Sequence, residues 1–81
     1  NRNLFCNTCY NMVFIVEEDM MLDDPNMKEC CIKWCYEVYG QVHGNLAKEC
    51  KKWIDDDLQK IVDMVISGQP ADVICKDLQF C

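Results

Sequence analysis

An all-α fold of four or five amphipathic helices follows from three features of this 81-residue chain. Apolar residues recur at helical spacing in segments separated by Gly, Pro and acidic clusters. No stretch alternates as a strand does. Paired cysteines stand near both ends, Cys6 and Cys9 at the start, Cys75 and Cys81 at the finish. Two helices lying antiparallel would pair those cysteines in nested order, outermost with outermost and inner with inner. The expected bridges are therefore Cys6–Cys81 and Cys9–Cys75, with Cys35–Cys50 closing a helical hairpin around Gly40 and Gly44.

The first segment spans about Leu4 to Leu22. Cys9, Val13, Val16 and Met20 fall on one face of a 3.6-residue period, and Phe5, Cys6 and Met12 widen it. Phe14 and Ile15 lie on two other sides of the cylinder, so one packed face does not account for them. Asp23-Asp24-Pro25 marks a boundary, where Asp24 can cap the next helix and Pro25 can occupy its first position. The second segment runs to about Tyr39 on a stripe of Met27, Cys31, Trp34, Cys35 and Val38. Ile32 and Tyr36 point elsewhere, and Cys30 sits near the stripe's border.

Gly40 to Asn45 is the main hinge candidate, with its two glycines expected to absorb unusual backbone angles. The third segment starts near Asn45 and meets neither Pro nor Gly until Gly68. Ile54, Leu58, Ile61, Val62 and Val65 repeat along it, either as one long helix or as two joined by a bend around Lys52 to Asp55. Gly68 is the expected stop, and Pro70 the expected start of a short last helix whose Ile74, Cys75 and Leu78 face inward.

A single domain over residues 1–81 buries only about 60–65% of its unfolded surface, so its core alone leaves a thin stability margin. Eight cysteines in a chain this short point to a disulfide scaffold and an oxidising compartment. Cys6-x2-Cys9 could hold half a zinc site, but no second such pair exists and His43 is the one histidine. No metal or other cofactor is expected. No apolar run approaches the ~20 residues that span a bilayer. A start at Asn1 rather than Met fits a processed chain.

The net charge is −6, and the eight cationic residues are scattered through the sequence without a basic stripe. Nucleic acid is thereby excluded as a partner. The acidity should repel an anionic membrane at neutral pH, and the repulsion should vanish near the sequence pI of about 4.5. No catalytic constellation stands out, because a Cys–His nucleophile would need His43 beside a thiol outside a bridge. The chain is therefore read as no enzyme. His43 reads either as a pH sensor at the turn between helices or as an ordinary exposed turn residue. Asp55-Asp56-Asp57 lacks the alternating spacing and turn glycine of a calcium loop, and reads as a solvated helix face. Trp34 and Trp53 are expected in the core of the central helix pair, or with one of them at a lipid headgroup boundary. Phe14, Ile15, Ile32 and Tyr36 lie off the core stripes and are candidates for contact with lipid or a second subunit.

The order Cys6-x2-Cys9, Cys35, Cys50, Cys75-x5-Cys81, with Pro70 and an aliphatic residue before the last pair, resembles the saposin-like family. Its spacing is nearest to invertebrate members such as nematode caenopores and amoebapores, and the resemblance covers essentially the whole chain. It implies two helical arms, one built from the first and last helices and the other from the central pair. It further implies lipid binding, membrane perturbation or fusion, pore formation, or presentation of lipids to hydrolases. Two departures stand out. The chain lacks the cationic belt of many lytic relatives. Cys30 and Cys31 have no place in the family register, and among eight cysteines three outcomes are open for them. Cys31 could be a buried thiol with Cys30 partly exposed, Cys30 could bridge a homodimer, or either could pair with Cys35 or Cys50.

The expected function is that of a secreted, vesicular or lysosomal protein that engages anionic membranes mainly at acidic pH and perturbs or fuses them. Gly40, His43 and Gly44 would form the hinge and pH switch as the arms open. The lipid-contact candidates are Phe14, Ile15, Trp34, Val38, Trp53, Leu58, Ile61 and Val65. The alternatives are a pore-forming antimicrobial effector, a lipid-presenting activator of a hydrolase, and a purely structural module.

Overall fold

One 3-10 turn over Arg2–Phe5 leads into four α-helices: α1 (Cys6–Leu22), α2 (Met27–Tyr39), α3 (Gly44–Ile66) and α4 (Ala71–Asp77). The computed structural model describes residues 2–22, 26–40 and 44–81, and no strand occurs among them. The helices form two arms. α2 lies along α3 in the most extensive pairing of the molecule, while α1 is packed against the short α4. This all-α, three-bridge arrangement is compatible with a small saposin-like fold. Asp24 and Pro25, expected to start α2, lie outside the described residues, as does His43.

The bridges are Cys6–Cys81, Cys9–Cys75 and Cys35–Cys50, with Cα atoms 5.0, 5.9 and 5.8 Å apart. The nested order expected of antiparallel terminal helices is the one found. α3 is a single helix over Gly44–Ile66, not two. Its apolar positions never leave one face between Cys50 and Ile61, so no local signal asks the backbone to break.

Two helix ends decide how the C-terminal third returns to the core. Gly68 takes φ 84°, a left-handed conformation that a residue without Cβ adopts freely. There Gln69 N–H donates to the carbonyl of Met64 at 3.0 Å and Gly68 N–H to that of Val65 at 2.9 Å. α4 ends in the same hydrogen-bond pattern, with Phe80 N–H on Cys75 O at 2.9 Å and Gln79 N–H on Lys76 O at 3.0 Å. Here the left-handed position is Gln79, at φ 67°, the one residue other than glycine with positive φ among those described. That turn sends Phe80 into the core and delivers Cys81 to Cys6. Pro70 precedes α4 in an extended conformation instead of opening it.

Gly40, expected to absorb an unusual backbone angle, does not: its φ of −61° and ψ of −33° are helical. The site favours glycine for space, since a Cβ there would run into the carbonyl oxygen of Tyr36.

The core draws Cys9, Met12, Val13 and Val16 from α1, Cys31 and Cys35 from α2, and Cys50, Ile54, Leu58 and Ile61 from α3. Ile74 and Cys75 of α4 and the following Phe80 complete it. A line of aromatic contacts joins the arms. Phe5 meets Tyr39 edge-on at 6.0 Å and Trp53 at 6.1 Å, and Trp53 packs on Phe80 at 4.5 Å. Beside them the hydroxyls of Thr8 and Tyr39 share a short hydrogen bond between α1 and α2.

Candidate functional site

α1 has two unlike sides, neither of them charged over its first three turns. Between Cys6 and Val16 the sequence holds no ionisable side chain outside the bridged cysteines and Tyr10. The inner side is the core stripe described above. The outer side presents Asn7, Tyr10, Asn11 and Phe14, all exposed. Phe14 is 65% exposed and Tyr10, one turn earlier, 40% exposed. The Asn11 amide donates to the Asn7 carbonyl at 3.0 Å, which partly satisfies the polar groups on this face. Ile15 is half-buried against the edge of the core. Glu17 and Glu18, one turn past Phe14, are exposed and end the neutral surface.

With Phe14 and Tyr10 outside its core stripe, α1 has more apolar surface than one neighbour covers. Every other described helix sets Lys, Glu or Asp among its outward positions. The outer face of α1 is therefore a neutral surface with an exposed aromatic pair on one helix.

The remaining lipid-contact candidates divide into three groups. Val38 continues the α2 stripe yet is 49% exposed, and Tyr36, off the stripe, is 44% exposed. Trp34 and Val65 are half-buried at the core's edge, Trp34 edge-on to Tyr39 at 6.3 Å. Trp53, Leu58 and Ile61 lie inside, at 6, 9 and 0% exposure. In this closed arrangement Trp53 and Ile61 are enclosed by protein and reach lipid only if the arms part, whereas Leu58 lines a surface depression beside Met27 and Val62. Parting would separate Phe5 from Tyr39 and Trp53, Trp53 from Phe80, and Thr8 from Tyr39. Of the hinge candidates, Gly40 caps α2 and Gly44 begins α3.

The acid run of α3 is not uniformly solvated. Asp56 is exposed, and Asp55 pairs with Lys28 of α2 at 3.1 Å and with Lys51 at 3.3 Å. Hydrogen bonds from Lys28 and then Lys51 hold the Asp55 carboxyl below its ordinary 3.8. Asp57 corrects the solvated-face expectation, being only 3% exposed, with Lys60 at 3.7 Å. Its burial follows from position. Asp57 stands four residues after Trp53, three after Ile54 and four before Ile61, inside the apolar arc of α3.

Cys30 is exposed and Cys31 buried, and both stand outside the three bridges. Burial first, then the charge of Asp19 and the neighbouring Cys30, push the Cys31 thiol up to about 12. It is a neutral packing group at physiological pH, without the thiolate that nucleophilic chemistry needs.

Sequence reasoning missed Tyr10, which the spacing to Phe14 could have found, and Phe80, whose burial depends on the turn at Gln79. Among the described residues no group of three or more His, Cys, Asp or Glu is placed to hold a metal ion. None of the described helices is long and apolar enough to cross a membrane. The three disulfides point to an oxidising, non-cytosolic environment. No family model matches the chain, and no curated protein and no solved structure matches it.

Proposed function

We propose that this chain is a saposin-like lipid-binding protein, secreted or vesicular, that engages anionic membranes mainly at acidic pH and perturbs them. The observation that carries the reading is the outer face of α1, where Phe14 and Tyr10 stand exposed on a surface without charge. Burying an aromatic ring of this kind in the acyl boundary contributes about 1.5–3 kcal/mol before ordering costs. Aromatic rings with a polar tip, such as Tyr10, favour the headgroup level. Because α1 is bridged at both Cys6 and Cys9, the face stays presented as a rigid helix while it is loaded.

The pH dependence comes from charge. At neutral pH a net charge of −6, with Glu17 and Glu18 bordering the face, opposes approach to anionic lipid. Acidification toward the pI of about 4.5 removes that opposition and leaves the apolar term.

Co-sedimentation with phosphatidylglycerol-containing vesicles from pH 7 to pH 4 tests the reading. Binding is expected to rise steeply on the acid side. Equal binding across the range, or none, overturns it.

A further inference from the structure

The lysines do not remain scattered once α2 and α3 pack together. Lys48, Lys51 and Lys52 stand at i, i+3 and i+4 of α3, a spacing that sets them on one face of the helix. They line one depression of about 400 Å³, to which α2 contributes Tyr36. Asp55 is the acid that lines it, and its charge is already shared between Lys28 at 3.1 Å and Lys51 at 3.3 Å. Lys48 and Lys52 are exposed, and neither is in an ion pair among the described residues. Tyr36 is exposed as well. In a chain of net charge −6, this is a local surplus of positive charge beside an open aromatic ring.

We infer that this depression binds a sulfated saccharide, one or two sugar units of it, in solution rather than in a membrane. Ammonium groups without a carboxylate partner form charge-assisted hydrogen bonds to sulfate oxygens. The volume is far more than one oxyanion fills, and it falls in the range of about 300–1,000 Å³ usual for small organic ligands. Tyr36 supplies what a bare sulfate or phosphate cannot use, an aromatic ring to cover the C–H face of a sugar. Lys48 and Lys52 lie one helical turn apart, about 6 Å along the axis, which suits a short ligand and gives no track for a nucleic-acid backbone. The three disulfides place the chain outside the cytosol, where sulfated glycans are abundant polyanions. The overall negative charge does not forbid this at neutral pH. Screening acts over about 8 Å at physiological ionic strength, so distant acids are muted while ammonium groups in contact are not. The site is on the opposite arm from Phe14 and does not rest on the membrane reading.

Amide-shift NMR titration of the whole protein at pH 7 and physiological salt tests the site. The probes are a sulfated heparin disaccharide, its desulfated form and inorganic sulfate. The sulfated disaccharide is expected to move the amides of Tyr36, Lys48, Lys51 and Lys52 to saturation. The desulfated form and inorganic sulfate should each bind about 10-fold or more weakly. Lys48→Gln with Lys52→Gln, both exposed, should weaken the disaccharide about 10-fold or more, and the Lys→Arg pair should retain it. Tyr36→Ala should weaken the disaccharide about 3-fold or more and leave inorganic sulfate unchanged. The spectra themselves report whether each variant keeps the fold.

Saturation at these four residues that is lost in the Lys→Gln pair supports the site. Binding that ignores the lysine changes overturns it. Desulfated disaccharide binding as tightly as the sulfated one overturns the role of charge, and with it the site. Inorganic sulfate binding as tightly overturns the saccharide and leaves a simple oxyanion site. Failure of the disaccharide while phosphatidylglycerol vesicles move the same lysine amides overturns it in favour of a membrane surface.

Discussion

The arm made by α1 and α4 is closed by two bridges and turns a neutral, aromatic surface outward. The arm made by α2 and α3 is closed by one bridge and carries most of the chain's lysines, one of which, Lys28, pairs across helices with Asp55. The difference follows from what each arm can bury. α3 has one strongly apolar face and gives it to α2, so its other faces can hold charge. α4 has only seven residues and cannot cover α1, whose excess apolar side chains therefore remain outside. Covalent closure compensates where packing is thin. The neutral surface on the first arm and the charged groove on the second are consequences of that division.

Removing the bridges breaks the comparison most severely. Cys6–Cys81 and Cys9–Cys75 span 75 and 66 residues, whereas Cys35–Cys50 spans 15. Loop-closure entropy gives the short loop about 3 kcal/mol and the two nested long ones together on the order of 7 kcal/mol. Either nested bridge alone should cost far less than both, because its partner still holds the termini together. Denaturant unfolding of single- and double-bridge variants should show that non-additivity, with the double loss of the terminal pair leaving little folded protein.

Next come the aromatics that join the arms. Trp53→Ala or Phe80→Ala should destabilise by about 3–5 kcal/mol, since both are buried and in contact at 4.5 Å. Phe14→Ala should change stability by less than about 0.5 kcal/mol, because that ring packs on little. Thermal melts of the three variants compare the inner and outer aromatic sets directly.

Smaller effects sit at the helix ends. Gly68→Ala should cost about 1 kcal/mol and Gln79→Gly should add up to about 1 kcal/mol, because both positions are left-handed and only one holds glycine.

The smallest effect is electrostatic and tests whether Asp55 ties α2 to α3. Its folded-state carboxyl titrates below 3.8, so the stability it contributes is present above that pH and is lost as the pH falls further. Asp55→Asn should therefore differ from wild type at neutral pH and converge with it in acid melts below about pH 3.8.

Much of the fold was legible because the responsible signals are periodic. Cys9, Val13 and Val16 on α1 and Ile54, Leu58 and Ile61 on α3 recur at helical spacing, and cysteine order on antiparallel helices leaves one nested pairing. The misses arose where a property depends on what lies across from a residue. Phe80 looks like a terminal side chain until Gln79 turns the backbone, and no propensity rule asks glutamine for a left-handed angle. Asp57 looks like the third member of a solvated acid run, yet its register places it between Trp53 and Ile61. Gly40 was expected to take an unusual angle because sequence shows the absence of a side chain but not the Tyr36 carbonyl that requires it. Phe14 was legible as a residue off the stripe. Its partner Tyr10 was not singled out, although it lies one turn away. The lysine groove was hidden for the same reason, since Tyr36 and Lys48 become neighbours only through the α2–α3 hairpin.

The most direct test of the account is co-sedimentation of wild type and Phe14→Asp with phosphatidylglycerol vesicles at pH 4.5. The wild type should pellet, and Phe14→Asp should bind about 10- to 100-fold more weakly while keeping its fold and its three bridges. Equal pelleting of the two proteins would contradict it, because the neutral face of α1 would then play no part in meeting the membrane.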